Sequence, residues 1–162
     1  MKEKRGEHPF GDAGQLILLA VFLIVWVSDS FYLHWSTFLA NWIPHPARSG
    51  LLYVMLIMVA ILVWTGRFVI IGKERPDHVV NTGPFHYVRH PLYLAALLGY
   101  IGTAISSFSL YSFVLLIPII IFYNYIASYE EKLLEAKFGE AYREYERKTG
   151  KWLPRLVRGG TF

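Results

Sequence analysis

The chain has 162 residues, of which 54% are hydrophobic and only 17% are charged, and its formal net charge is +4. One domain is expected at this length, and a soluble domain would carry charge on about a quarter of its residues. The composition therefore excludes an ordinary soluble domain, and the absence of cysteine excludes disulfides, a thiolate nucleophile and a cysteine metal site. Because the basic residues flank apolar runs, we attribute the positive charge to membrane orientation and expect no nucleic-acid partner.

Four apolar segments follow one another along the chain as candidate membrane spans: 16–39, 51–71, 91–105 and 110–127. The first is interrupted towards its end by Ser28, Asp29 and His34, which are tolerated only close to an interface. The last two are separated by only four residues, which predicts a tight helical hairpin. A hydrocarbon core of roughly 30 Å needs about 20 helical residues, so the first arm of this hairpin is short. The pattern predicts a single all-α integral membrane domain over 1–162 with about four transmembrane helices.

Beyond the last span the sequence becomes amphipathic. Apolar and aromatic side chains recur there at helical spacing among charged ones: Tyr129, Leu133, Phe138, Tyr142 and Tyr145. This pattern predicts a cytoplasmic amphipathic helix that either continues the last span or lies on the membrane surface. Gly139 is a candidate bend, and Gly150 and Pro154 are expected to end the helix.

The distribution of lysine and arginine predicts the orientation. With four crossings, both termini and the 72–90 loop lie on one side, which receives 15 of the 16 basic residues if Arg67 is counted with the loop. Only Arg48 falls on the other side. Basic residues accumulate on the cytoplasmic side, so we expect a multi-pass protein with both termini in the cytoplasm, in a prokaryotic inner or cell membrane.

Two polar motifs lie at the ends of apolar segments. The stretch TGPFHYVRHPLY, 82–93, contains a Gly-Pro turn and an Arg-His-Pro-x-Tyr motif, and Glu130–Glu131 follows the last span. Ionisable groups at a membrane boundary are costly, so their presence is a functional hypothesis by default. Taken singly, Arg89 and His90 are also typical of interface anchors, and the glutamates of solvated surface charge.

In order and spacing, the Arg-His-Pro-x-Tyr motif, the Glu-Glu pair, an FGxxYxxY segment and a terminal proline point to one superfamily. Over 79–156 the chain resembles the isoprenylcysteine carboxyl methyltransferases and phospholipid methyltransferases, which are integral membrane enzymes. The resemblance implies that S-adenosylmethionine binds where the two motifs meet at the cytoplasmic end of the helices. It further implies methyl transfer from this cofactor to a lipophilic acceptor that enters from the bilayer, with membrane lipids as partners.

The resemblance also implies roles for individual residues. The implied cofactor-binding set is Val79, Val80, Phe85, His90, Pro91, Tyr93 and Glu130. We expect catalytic roles for Arg89, His90 and Asn124 and no metal site. The chemistry agrees, because Glu130 can accept hydrogen bonds from the cofactor's ammonium or ribose groups, while His90 and Tyr93 can donate to its carboxylate. Glu130 is expected to matter more for cofactor binding than Glu131.

One position departs from the pattern of the protein-prenylcysteine methyltransferases. Those enzymes have an arginine one helical turn before the first glutamate, where it engages the substrate carboxylate, and this chain has Ile126 there. An apolar residue cannot neutralise an acidic acceptor. We therefore expect a neutral or amine-type lipid acceptor with a hydrogen bond from Asn124, unless Arg89 or Arg67 replaces the missing cation.

Several acceptors and one other class of function stay open at this stage. Within the superfamily, the alternatives are a prenylated cysteine, a phospholipid amine that is N-methylated, a small thiol that is S-methylated, or another lipid. Outside enzymes, the alternatives are a membrane scaffold or a small-molecule channel that keeps basic residues at its interface.

Overall fold

The structure is a computed structural model that describes residues 11–71 and 78–155. Five α-helices lie in these two stretches: α1 Gly11–Val27, α2 His45–Ile71, α3 Pro91–Ser107, α4 Leu110–Phe138 and α5 Glu140–Lys148. A π-helical turn, Ser28–Leu33, extends α1, and short 3-10 turns lie at Phe38–Trp42 and Gly83–His86. The described residues contain no named strand, so the predicted all-α fold is confirmed.

Three helices of the described stretches are long and apolar enough to cross a bilayer: Gly11–Leu33, His45–Phe68 and Leu110–Phe138. α3 is also apolar but has 17 residues, fewer than the ~20 that cross a hydrocarbon core. These three long helices and the shorter one confirm the predicted class, an integral membrane protein. In the second span only 6% of the apolar window is buried, as expected for a helix that faces lipid.

The first span is helical only as far as Leu33, short of the predicted limit at 39. His34 has a left-handed backbone with a φ of 53°, and its N–H donates to the Asp29 carbonyl oxygen at 2.9 Å, which closes the helix. The Asp29 side chain is buried and accepts hydrogen bonds from the Ser36 N–H at 3.0 Å and the Ser109 hydroxyl at 2.6 Å. A buried carboxylate needs such partners, so this polar patch fastens the end of α1 to the turn before α4.

α3 and α4 form the predicted tight hairpin. The turn uses a left-handed Phe108 with a φ of 52°, and Ser109 caps α4 by accepting from the Ser112 N–H at 3.2 Å. The hairpin packs against α1 through a buried cluster: Phe22, Leu97, Tyr100, Ala104, Leu116, Ile119, Tyr123 and Ile126. Gly102 lets α2 approach α3 closely, because a Cβ at this position would lie 3.1 Å from the Met55 Cβ.

The predicted amphipathic segment is divided into two helices. α4 continues past its apolar part and ends where Gly139 adopts a φ of 56°, and α5 follows. α5 ends at Lys148, shortly before the expected Gly150. Residues 149–155, which we call the C-terminal strap, then return to the start of α3, where Gly150 forms a parallel bridge with Val88.

Candidate active site

The Arg-His-Pro-x-Tyr motif enters α3 through a compact turn. Gly83 has a φ of 61°, a backbone conformation that favours glycine, and Pro84 is buried. Pro91 occupies the first helical position of α3, where its missing N–H needs no partner. Arg89 and His90 therefore lie immediately before the helix, and both are buried.

Arg89 connects three parts of the C-terminal region. Its Nε donates to Glu131 Oε1 of α4 at 2.9 Å, and its Nη2 lies 3.1 Å from Glu146 Oε1 of α5. Its Nη1 donates to the carbonyl oxygens of Glu146 at 3.1 Å and Thr149 at 2.7 Å. The backbone N–H of Arg89 donates to the Gly150 carbonyl oxygen at 2.9 Å. The guanidinium thus holds α4, α5 and the strap together.

His90 lies between the two glutamates. Its Nε2 is 3.1 Å from Glu131 Oε1, and its Nδ1 is 3.8 Å from Glu130 Oε2. The His90 ring stacks on the Tyr93 ring, with 5.7 Å between centroids and 8° between planes. The Tyr93 hydroxyl in turn donates a hydrogen bond to Glu130 Oε1. The two motifs, which lie far apart in the sequence, are therefore in direct contact at the ends of α3 and α4.

The strap covers this contact. Lys151 Nζ donates to the Ser128 hydroxyl at 2.6 Å and lies 3.4 Å from Glu131 Oε2. The Trp152 ring lies 5.9 Å from the His90 ring, and its Nε1 donates to the Asn124 side-chain oxygen at 3.4 Å. Sequence reasoning did not single out Lys151 or Trp152, although both belong to the KTGKWLP segment that carries part of the family resemblance.

The remaining predicted residues lie around the two motifs. Val79, Val80 and Phe85 are half-buried. The Phe85 carbonyl oxygen accepts from the Tyr145 hydroxyl at 2.6 Å, and burial raises the pKa of Tyr145 to about 12. The hydrogen bond between Tyr145 and Phe85 ties the loop before α3 to α5. Asn124 is exposed on α4 beside the strap.

Ile126 is fully buried and belongs to the core cluster between α1, α3 and α4. Its side chain therefore faces the bundle, whereas Asn124 is exposed and is contacted by the strap. The position that carries an arginine in prenylcysteine enzymes is a packing position in this protein.

A model of the family described as "Phospholipid methyltransferase" matches residues 49–141 of the chain. This chain belongs to the phospholipid methyltransferase family. The resemblance found in the sequence is thereby confirmed, and the protein is a member of a superfamily of membrane methyltransferases. The match includes α3, α4 and both motifs, and it ends before the C-terminal strap.

Two curated relatives of this family member are named as metal-resistance proteins. The chain is 30% identical over 136 residues to the cobalt-zinc-cadmium resistance protein CzcN of Cupriavidus metallidurans, which covers 83% of this chain. It is 30% identical over 87 residues, 53% of this chain, to the nickel-cobalt-cadmium resistance protein NccN of Alcaligenes xylosoxydans xylosoxydans. The chain spans 61% and 40% of these relatives' lengths. No solved structure matches the chain significantly.

Methyltransferases of this family normally use S-adenosylmethionine, and the donor set of the site fits that group. The ion-pair cluster contains three carboxylates, Glu130, Glu131 and Glu146, around the two basic side chains of Arg89 and Lys151 and the His90 ring. The sulfonium cofactor carries one net positive charge, which suits a site where carboxylates outnumber lysine and arginine.

A second observation supports the fit. The Tyr142 hydroxyl is buried and has no hydrogen-bond partner among the described residues. Burial and the negative charge of Glu131 raise the pKa of Tyr142, so the hydroxyl stays a donor. An unpaired buried hydroxyl is rare, and a polar ligand or water would satisfy it.

Proposed function

We propose that this protein transfers a methyl group from S-adenosylmethionine to a lipophilic acceptor at the boundary between membrane and cytoplasm. The observation that carries the proposal is the contact of Tyr93 with Glu130 and of His90 with Glu131 at the ends of two apolar helices. Burying a polar network of this kind at a membrane boundary is costly, so its presence favours a functional role. Membership of the phospholipid methyltransferase family supports the same reaction class.

In this proposal Glu130 is the main ligand for the cofactor. Its side chain is 19% exposed, and its Oε1 already accepts from Tyr93, which fixes the carboxylate in place. A carboxylate can accept several hydrogen bonds at once, including one from an ammonium or ribose group. Val79, Val80 and Phe85 would form the apolar wall for the adenine, as their half-buried positions allow. His90 and Pro91 would complete the binding set at the start of α3.

The chain's contribution to the reaction would be alignment and the exclusion of water. When bound, S-adenosylmethionine supplies an electrophilic methyl carbon, and direct displacement at that carbon needs no covalent nucleophile. Trp152 lies over His90 and beside Asn124, so the strap would shield the acceptor from water while Asn124 offers it a hydrogen bond. Because Arg89 is fully engaged by α4, α5 and the strap, we propose a positioning role for it.

The reaction class is tested with purified protein in detergent. We expect S-adenosylhomocysteine to bind measurably in isothermal titration calorimetry. We also expect methyl-labelled S-adenosylmethionine to label a component of a bacterial lipid extract or a farnesylcysteine analogue. The acceptor that becomes labelled separates a phospholipid amine from a prenylated cysteine. A protein that neither binds S-adenosylhomocysteine nor transfers the labelled methyl group would be a scaffold or a channel instead.

We also propose that the site faces the cytoplasm with both termini, as the distribution of basic residues predicts. Single cysteines at Ala47 and Arg147 test this, because both positions are exposed and the chain has no native cysteine. An impermeant maleimide added to intact cells should label the cysteine at position 47 and not the one at 147, while both react after the membrane is opened. Labelling of position 147 from outside would reverse the orientation.

A further inference from the structure

Lys151 lies at one end of a stripe of residues on α4 that is exposed over its apolar part. The stripe follows helical spacing of three and four residues: Val114, Ile117, Ile121, Asn124, Ser128 and Glu131. Its first three members are 61%, 60% and 64% exposed. Lys151 Nζ contacts the last three, at 3.3 Å from the Asn124 carbonyl oxygen, 2.6 Å from the Ser128 hydroxyl and 3.4 Å from Glu131 Oε2. An apolar path along the helix thus leads to a single half-buried ammonium.

We infer that Lys151 receives the anionic group of a lipid acceptor, either a carboxylate or a phosphate, while the lipid tail lies along the stripe of α4. This inference rests on the proposed function and specifies the acceptor class for the same site. Lys151 also provides the cation that is missing at Ile126, because the strap brings this lysine to the surface of α4 from another part of the chain.

The position of the ammonium favours a lipid head group over the cofactor. Along α4, Asn124 and Ser128 lie between the apolar residues of the stripe and Glu131, where the head group of a lipid would join its tail. Glu130 and His90 lie instead at the contact of the two motifs. Glu131 would not repel an incoming anion strongly, because its Oε1 already pairs with Arg89 and His90. An ammonium has three donors, and the contact with the Asn124 carbonyl is long enough for an anionic oxygen to replace it.

The strap is held independently of Lys151, which allows the lysine to be tested without removing the strap. Arg89 bonds the carbonyl oxygens of Thr149 and Gly150, and Arg155 Nη1 donates to the Arg147 carbonyl oxygen at 2.7 Å. Lys151→Met keeps the length of the side chain and removes its charge, and Lys151→Arg keeps the charge. Lys148→Met is the matched control, since Lys148 is 70% exposed and pairs with Glu144 on α5.

The test measures equilibrium binding of four probes to purified protein in neutral detergent. N-acetyl-farnesylcysteine is compared with its methyl ester, and dioctanoyl phosphatidylethanolamine with dioctanoylglycerol, with inorganic phosphate as a fifth, lipid-free arm. We expect Lys151→Met to weaken binding of the farnesylcysteine carboxylate or of the phospholipid, whichever binds better, about tenfold or more, as the loss of a charge-assisted hydrogen bond does. Lys151→Arg and Lys148→Met should stay within about threefold of the unmodified protein, as should binding of the uncharged probes to Lys151→Met.

Other results would overturn the inference. Equal losses for charged and uncharged probes would make Lys151 a structural anchor, and no loss would make the stripe an ordinary lipid-facing surface. Inorganic phosphate that binds as tightly as the lipids would point to a soluble anion. Titration of the unmodified protein with S-adenosylhomocysteine separates this failure from failure of the proposed function, since it does not depend on Lys151. Unchanged binding of the uncharged probes and an unchanged melting temperature report that Lys151→Met is folded.

Discussion

Replacing Glu130 with glutamine should weaken S-adenosylhomocysteine binding by about tenfold to a hundredfold, since hydrogen bonds to charged groups contribute about 1.5–3 kcal/mol. Glutamine keeps an oxygen that accepts from Tyr93, so the local packing should persist. What is lost is the negative charge that would face the cofactor's ammonium or ribose. Isothermal titration calorimetry of the variant and the unmodified protein gives the ratio of dissociation constants directly.

Two neighbouring glutamates serve as controls for this prediction. Glu131→Gln removes the carboxylate that pairs with Arg89, His90 and Lys151, so it should lower the melting temperature and affect cofactor affinity less than Glu130→Gln. Glu135→Gln, one turn further along α4 in a surface pair with Arg143, should change neither quantity measurably. Unchanged affinity in Glu130→Gln would remove this residue from the cofactor site.

The contact of the two motifs and the larger role of Glu130 in cofactor binding were predictable from the sequence, but the pairing of Glu131 with Arg89, His90 and Lys151 was not. Successive residues of a helix point about 100° apart, so the side chains of Glu130 and Glu131 contact different neighbours. Glu130 lies in register with the buried Tyr123 and Ile126, and Glu131 with the exposed Asn124 and the half-buried Ser128. Which face turns inward is decided by the packing of α1 and α3 against α4, and no local pattern encodes that.

The C-terminal strap shows a second limit of sequence reasoning. Its residues have no helical or strand period, and the glycine and proline at 150 and 154 indicate only that a helix ends. The path of the strap depends on Arg89, whose backbone and side chain bond the carbonyl oxygens of Gly150 and Thr149. The partners of the polar patch in the first span were equally unpredictable from the sequence, because Asp29 accepts a hydrogen bond from Ser109, which lies 80 residues away.

Replacing Arg89 with methionine should destabilise the folded protein more than any other single change considered for the site. The buried guanidinium pairs with the carboxylates of Glu131 and Glu146 and with two backbone carbonyl oxygens. Removing it leaves buried charge and acceptors without partners, which costs about 3–5 kcal/mol. The melting temperature in detergent should fall by several degrees, and limited proteolysis should cut the chain near the strap.

Arg143→Met is the matched control, because Arg143 is 56% exposed and its pairs with Glu135 and Glu140 are solvated. The melting temperature of Arg143→Met should equal that of the unmodified protein. Arg89→Lys should recover only part of the loss, since a lysine ammonium cannot reach α4, α5 and the strap together as a planar guanidinium does. If Arg89→Met melts normally and loses only methyl transfer, Arg89 acts on the acceptor itself. If its melting temperature falls and cofactor affinity, measured well below that temperature, falls as well, the result supports closure of the site by the strap that Arg89 holds.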